Sequence, residues 1–479
     1  MKDEDGYDED DEEEGLPLLP AIAARRREAR THLLNLAILS SGFFCIFFAF
    51  GTTQLLESSL IPGRLGYWCL ASLYGTMCVS SLFLASPVAK ALRERKALVL
   101  GAAAYVVFVA ANLYPDWVTL IPASAVLGMG AGILWTAAGS YITAAGANYA
   151  EAKGKPPKSE MGLFNGIFAA ARTWASVMGN VVASLIFIFG DRLGGEAKAT
   201  KVLFYLFTAV GIAGVLVMLL LGDEKTFAAA AVVVEEKKSE DDTDDDAKAK
   251  AKTKRKSEDD LGEEKKVVFN MELVGKKARD LVALHRDPRL FLLIPLFFYS
   301  GYEQAFATGD FAKEVVKKHL DLSSIGFVFA WYCLVMTLCS ALLGRLSDTV
   351  GRRLFLAVGV ACHVPFYLFF GLLWPSEWVP EEVISQHPLS VYAAITLLSV
   401  GDSCFTTLPP ILMSVFFTDN TEPAFANHKF YQSLGSVFGF ILGPLITFPL
   451  KILLLSTGLF TATALMILLD RRFASIDKA

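Results

Sequence analysis

Charge is what this sequence lacks over most of its length. Twelve stretches of roughly 20 residues, from Leu33–Glu57 at one end to Leu450–Leu469 at the other, hold few acidic or basic side chains. With 54% of 479 residues hydrophobic and a mean hydropathy of +0.45, this excludes a soluble helical protein, whose helices need a charged face at the 3.6-residue period. Histidine and cysteine are sparse, at six and seven residues. Cys45, Cys69, Cys78, Cys333, Cys339, Cys362 and Cys404 all fall inside apolar stretches without paired or metal-ligand spacing, so they read as packing residues and no metal site is expected. There is no Asn-X-Ser/Thr acceptor, and Met1–Glu14 is an acidic run with one lysine rather than a secretory leader. "GMGAGI" (Gly128–Ile133) lies within an apolar run with no strand before it, which excludes a dinucleotide loop. No catalytic triad is present, so neither an enzyme nor a cofactor is expected.

What is present is length. Roughly 20 apolar residues make a helix that crosses a hydrocarbon layer of roughly 30 Å, and in lipid only a helix satisfies its own backbone. The lipid bilayer is therefore the first partner. Lysine and arginine gather in alternate loops: "RRREAR" (Arg25–Arg30), "KALRERK" (Lys90–Lys96) and "GRLSDTVGRR" (Gly344–Arg353), whereas "YPDW" and "WPSEWVPEEV" are poor in positive charge. The basic loops mark the cytosolic side and put both termini there. Residues 1–31 read as a disordered acidic tail, 32–222 as a six-helix bundle, 223–288 as a charged cytosolic linker, 289–472 as a second six-helix bundle and 473–479 as a tail. The linker's "EDDTDDD" and "AKAKAKTKRK" are blocks of like charge, expected to be disordered. Its acidic neighbours argue against nucleic acid. "NMELVGKKARDLVALH" beyond it reads either as an amphipathic surface helix or as a plain linker helix.

The halves look like copies. "GTTQ" (Gly51–Gln54) in the first span answers "GYEQ" (Gly301–Gln304) in the seventh, and Asn165 in the fifth answers Asn427 in the eleventh. Parallel repeats of this kind place a site near the membrane midplane, between the halves.

"GRLSDTVGRR" has the spacing Gly-x-x-x-Asp-x-x-Gly-Arg-Arg, with Gly344 for close helix approach, Asp348 to accept from amides at a helix start, Gly351 for a turn, and Arg352 and Arg353 at the membrane boundary. It resembles the signature loop of the major facilitator superfamily, a conformational latch in that fold. The equivalent first-half loop, "SPVAKALRERK", lacks the acid. "LYGTMCVSSLFL", "FNGIFAAARTWASVMGN", "GYEQAFATGDFAK", "GDSCFTT" and "AFANHKFYQSLG", in this order of spans, resemble the Unc-93-like family over roughly Asn35 to Arg472. The resemblance implies an all-α membrane protein with the major facilitator superfamily fold: 12 transmembrane helices in two pseudo-symmetric six-helix bundles. It also implies a mixed range of roles, from regulation of potassium channels and potassium homeostasis to escort of membrane cargo.

Glu303 is the costliest residue in the chain, because a carboxylate inside a membrane needs a partner, a proton or water. Arg172 and Lys429, both within spans, are its candidate partners. Glu303, Gln304 and Gln54 are candidates for a central cavity; alternatively they form a structural lock between the halves. Asp402 and Ser403 in the tenth span are candidates for cation coordination or for bonding a neighbouring helix, and Trp135 for the cavity wall or for packing. Asp310 and Lys313 read as solvated. A small solute or ion, or a channel or cargo membrane protein, is the expected partner. "EGLPLL" (Glu14, Leu18, Leu19) matches an acidic dileucine sorting pattern, which favours an endosomal or vacuolar membrane over the plasma membrane.

Overall fold

A computed structural model describes residues 18–61, 63–157, 159–222, 275, 279, 281–350, 352–375, 379–417 and 421–473. The first half is α1 (Leu18–Leu60), α2 (Leu65–Val79), α3 (Ala85–Ala111), α4 (Trp117–Ala152), α5 (Met161–Ile188) and α6 (Glu196–Met218). The second is α7 (Pro288–Ala305), α8 (Leu322–Val350), α9 (Arg352–Leu368), α10 (Leu389–Phe416), α11 (Thr421–Leu442) and α12 (Phe448–Arg472). Three helices run on into wider π turns, at Ser80–Leu84 after α2, Phe306–Lys317 after α7 and Phe369–Leu373 after α9.

Local chemistry sets the ends. Asp116 caps α4 by accepting from the Val118 amide, and Thr119 returns the bond to the Asp116 amide. Asp287 caps α7 ahead of Pro288, which fits a first helical position. α3 breaks at Arg93, whose φ of 62° is one that a side chain resists. That break lies in "KALRERK" and turns the chain from the second crossing into the third.

Among the described residues, ten helices are apolar and long enough to cross a membrane. The other two are α3 and α11: α3 carries Glu94–Lys96 just beyond its break at Arg93, and α11 is polar through its first half, from Asn427 to Ser433. α1 begins earlier than expected. Leu18 to Thr31, read from sequence as disordered, is helical because "AIAARRREAR" is rich in strong helix formers.

Within the first half α3 packs on α4 and α1 on α5; within the second α9 packs on α10 and α7 on α11. Backbones touch where glycine allows it. A Cβ on Gly179 would strike the Phe48 carbonyl of α1, and one on Gly301 would strike the Gln432 carbonyl of α11. The α1–α5 and α7–α11 crossings thus repeat each other. Between halves α2 meets α11 and α5 meets α8, two contacts that the repeat exchanges.

The halves are hydrogen-bonded to each other at the face opposite the termini. There Ser58 Oγ donates to the Gly309 carbonyl at 3.0 Å, Lys317 Nζ to the Ser59 carbonyl at 2.5 Å, and Ser184 Oγ to the Ser323 carbonyl at 2.5 Å. Towards the termini the α4 stripe Trp135, Gly139, Thr143 continues with open space at Gly139 and an exposed Thr143. This stripe of α4 is therefore not packed against another helix.

Candidate functional site

A cavity of about 330 Å³ lies between the halves. Helical spacing builds its walls. Phe47, Phe50 and Gln54 project from one face of α1, and His428, Gln432 and Ser436 from one face of α11. Gln54 and Gln304, from equivalent places in α1 and α7, both reach it. Gln54 Nε2 donates to the Tyr74 hydroxyl at 2.9 Å. Trp135 lines the wall while packing edge-on against Phe43 and Phe47. Arg172 enters from α5, its guanidinium 6.0 Å from the centre of the Trp135 ring. Lys429 enters from α11 and donates to Gln432 Oε1 at 2.9 Å. Of the residues that line this cavity, none is acidic.

Glu303 is not on that wall. Neighbouring helical side chains diverge by about 100°, so while Gln304 faces the cavity Glu303 turns into the second half, where it is fully buried. Its neighbour there is Asp402 of α10, also fully buried. The two carboxyls face each other at close range without a hydrogen bond of ordinary geometry. Asp402 Oδ2 accepts from the Tyr332 hydroxyl. Among the described residues no cation pairs with Glu303: its candidate partners Arg172 and Lys429 are in the cavity.

Beside the acids runs a relay. His363 Nε2 donates to the Leu398 carbonyl at 3.2 Å, so its Nδ1 accepts from Tyr299, whose oxygen accepts from Tyr367 at 2.8 Å. His363 fills the space that Gly401 leaves. Ser403 donates to the Val400 carbonyl at 2.6 Å and is buried away from the cavity. The oxygens of Glu303, Gln304, Asp402 and Ser403, candidates for a shared cation site, are therefore split among three places.

Asp310, read from sequence as solvated, is buried. α7 does not end there but widens through Phe306–Lys317, which keeps Asp310 inside. It accepts from Lys451 Nζ of α12 at 2.6 Å and from the Tyr67 hydroxyl of α2 at 2.9 Å. Sequence reasoning missed Lys451, although a lone lysine opening the apolar run "KILLL" is a signal that an acid lies at the same depth. It also missed Glu57, which is buried near Asn112 and Cys69.

In the loop motif, Gly344 and Asp348 lie in the last turns of α8 rather than at a helix start, Arg352 opens α9, and Gly351 is outside the described residues. Arg353 Nε pairs with Asp470 of α12 at 2.9 Å. Of the dileucine pattern, Glu14 lies outside the described residues and Leu18 and Leu19 open α1. Most of the linker, 223–274, is also outside them; its last residues dock on α11, with Leu284 buried and His285 Nε2 2.7 Å from the Tyr431 hydroxyl.

Among solved structures, a protein described under substrate recognition in proton dependent oligopeptide transporters matches with a TM-score of 0.62 at 15% identity, covering 93% of this chain and 99% of that one. A bacterial homolog of the human lysosomal transporter Spinster, solved in an inward-facing and unoccupied conformation, also gives 0.62, at 13% identity over 93% and 98%. These likenesses establish the major facilitator superfamily fold. By sequence, human protein unc-93 homolog A is 30% identical over 85% of this chain and 86% of its own length, and Arabidopsis thaliana UNC93-like protein 3 is 29% identical over 91% and 86%. The Caenorhabditis elegans protein unc-93, whose name assigns it provisionally to potassium channel regulation, is 26% identical over 89% of this chain and 59% of its own. The family described as ion channel regulatory protein UNC-93 matches residues 58–467, and with the fold and these relatives in agreement, this chain belongs to the UNC-93 family.

Proposed function

We propose that this UNC-93 family protein is a membrane carrier that serves ion homeostasis by moving a small solute through its central cavity as the two halves rock. The observation that carries this reading is the cavity itself, walled by both halves, with Gln54 and Gln304 reaching it from equivalent positions. The unpacked α4 stripe towards the termini and the hydrogen-bonded halves on the opposite face suit a resting state open to one side. Glu303 and Asp402 act beside the cavity rather than in it. Two carboxyls at close range in a dry interior do not both stay charged without a cation, so the pair takes up and releases a proton as α7 and α10 move. The "GRLSDTVGRR" loop, Gly344 to Arg353, serves as the latch on the side of the termini. Both termini and the linker face the cytosol, a reading supported by the basic clusters in the first turns of α1 and around the break in α3, and the dileucine pattern at Glu14, Leu18 and Leu19 directs the protein to an endosomal or vacuolar membrane.

Glu303→Gln is expected to abolish pH-driven uptake into proteoliposomes while leaving yield and gel-filtration profile unchanged. Uptake equal to that of the parent protein would remove Glu303 from the mechanism.

A second reading is a regulator that moves nothing and binds a channel through its membrane-facing surface. The family description supports it. It requires a stoichiometric membrane partner to co-purify under mild detergent; repeated isolation of the chain alone, active in uptake, would rule it out.

A further inference from the structure

The charge of the cavity has one sign. Arg172 comes from the first half and Lys429 from the second, and they lie near enough for their charges to act on each other. Among the described residues neither has a carboxylate partner. The buried acids among the described residues are placed elsewhere: Glu303 with Asp402, Asp310 with Lys451, Glu57 beside Asn112, Glu160 with Lys155 and Asp470 with Arg353. Two like charges lining one chamber repel, and a potassium ion entering the chamber would add to that repulsion. An anion would relieve it, and by touching both residues it would tie one half to the other. The rest of the wall sets the anion's body: Phe47, Phe50, Tyr105 and Trp135 offer apolar rings, while Gln54 and Gln304 offer neutral polar groups. A volume of about 330 Å³ belongs to the small end of ligand sites.

We propose that the cavity binds a small organic carboxylate, its anionic group bridged between Arg172 and Lys429 and its apolar body against the aromatic wall. Potassium then does not pass through this cavity, and any effect of the protein on potassium is exerted through an anion or through a partner. The proposal deepens the carrier reading and rests on it for transport, but binding is measurable by itself.

The test uses the full chain purified in detergent, at constant ionic strength, with 3-phenylpropionate, benzoate and succinate as probes and their amides as neutral matches. Titration calorimetry and the melting temperature are read for each. At least one carboxylate is expected to bind and raise the melting temperature by several degrees, with its amide weaker by tenfold or more. Arg172→Gln and Lys429→Gln should each weaken the carboxylate by at least tenfold, and Lys429→Arg should retain most of the affinity, which separates lost charge from lost folding. No response to any of the three anions, equal binding of the amides, or affinity unchanged in both charge-removing variants overturns the proposal. Binding without uptake would leave the anion site standing and overturn the carrier reading. Uptake of a neutral or cationic solute through the same cavity would do the reverse.

Discussion

At the scale of single residues, Asp310 and Lys451 illustrate why a buried ion pair is costly to disturb. Both are nearly inaccessible, and Tyr67 from the other half supplies a further donor to the same carboxylate oxygen. Removing one charge strands the other, at a cost of about 3–5 kcal/mol, whereas replacing both by apolar residues of similar volume is often close to neutral. Lys451→Met is therefore expected to lower thermal stability sharply, and Asp310→Leu combined with Lys451→Met to recover most of it. A double variant as unstable as the sum of the two single ones would mean that the pair is not coupled. The position of Glu303 shows what a single residue conceals. Its presence inside a membrane is plain from "GYEQ", but both Glu303 and Gln304 are polar, and nothing in four residues says which of them faces the cavity. Asp310 was hidden differently, because a π turn after α7 leaves no mark in composition.

At the scale of helices, close crossings and open stripes predict opposite tolerances. A Cβ at Gly301 meets the backbone of α11 and one at Gly435 meets the backbone of α7, where no side chain can rotate away. Gly301→Ala should therefore part α7 from α11 and lose folded protein, as read by fluorescence-detected gel filtration. Gly139→Ala, on the open α4 stripe, should leave the profile unchanged and gain slightly from a better helix residue, by about 0.5–1 kcal/mol. Equal behaviour of the two variants would contradict the packing described above. Helix number, order and pairing of halves could be read from hydropathy and repeated motifs, because lipid demands long uncharged segments. Helix ends were less legible. The extension of α1 back to Leu18 rests on alanine and arginine, which favour helix without being apolar.

At the scale of the whole molecule, the contacts between halves set a testable geometry. Ser184 of α5 and Ser323 in the first turn of α8 meet at the face opposite the termini. With the seven native cysteines replaced, Ser184→Cys together with Ser323→Cys is expected to form a disulfide readily and to stop uptake reversibly until reduced. Uptake that persists in the cross-linked protein would mean that this face never opens. What a linear reading could not supply here is the partition of charge, with cations in the cavity and acids set behind it or beyond it. Arg172 and Glu303 are 131 residues apart, and their separation in space is decided by which face each helix presents, a property of the assembled bundle.

α11 also bears on how the chain is made. Its polar stripe, from His428 to Ser436, serves the cavity but leaves a segment too hydrophilic to enter lipid unaided, so during synthesis it must be held until α2 and α7 shelter it. Newly made chains are then most exposed to quality control after ten crossings are complete, and substitutions that loosen the α2–α11 or α7–α11 contacts should act first on protein abundance.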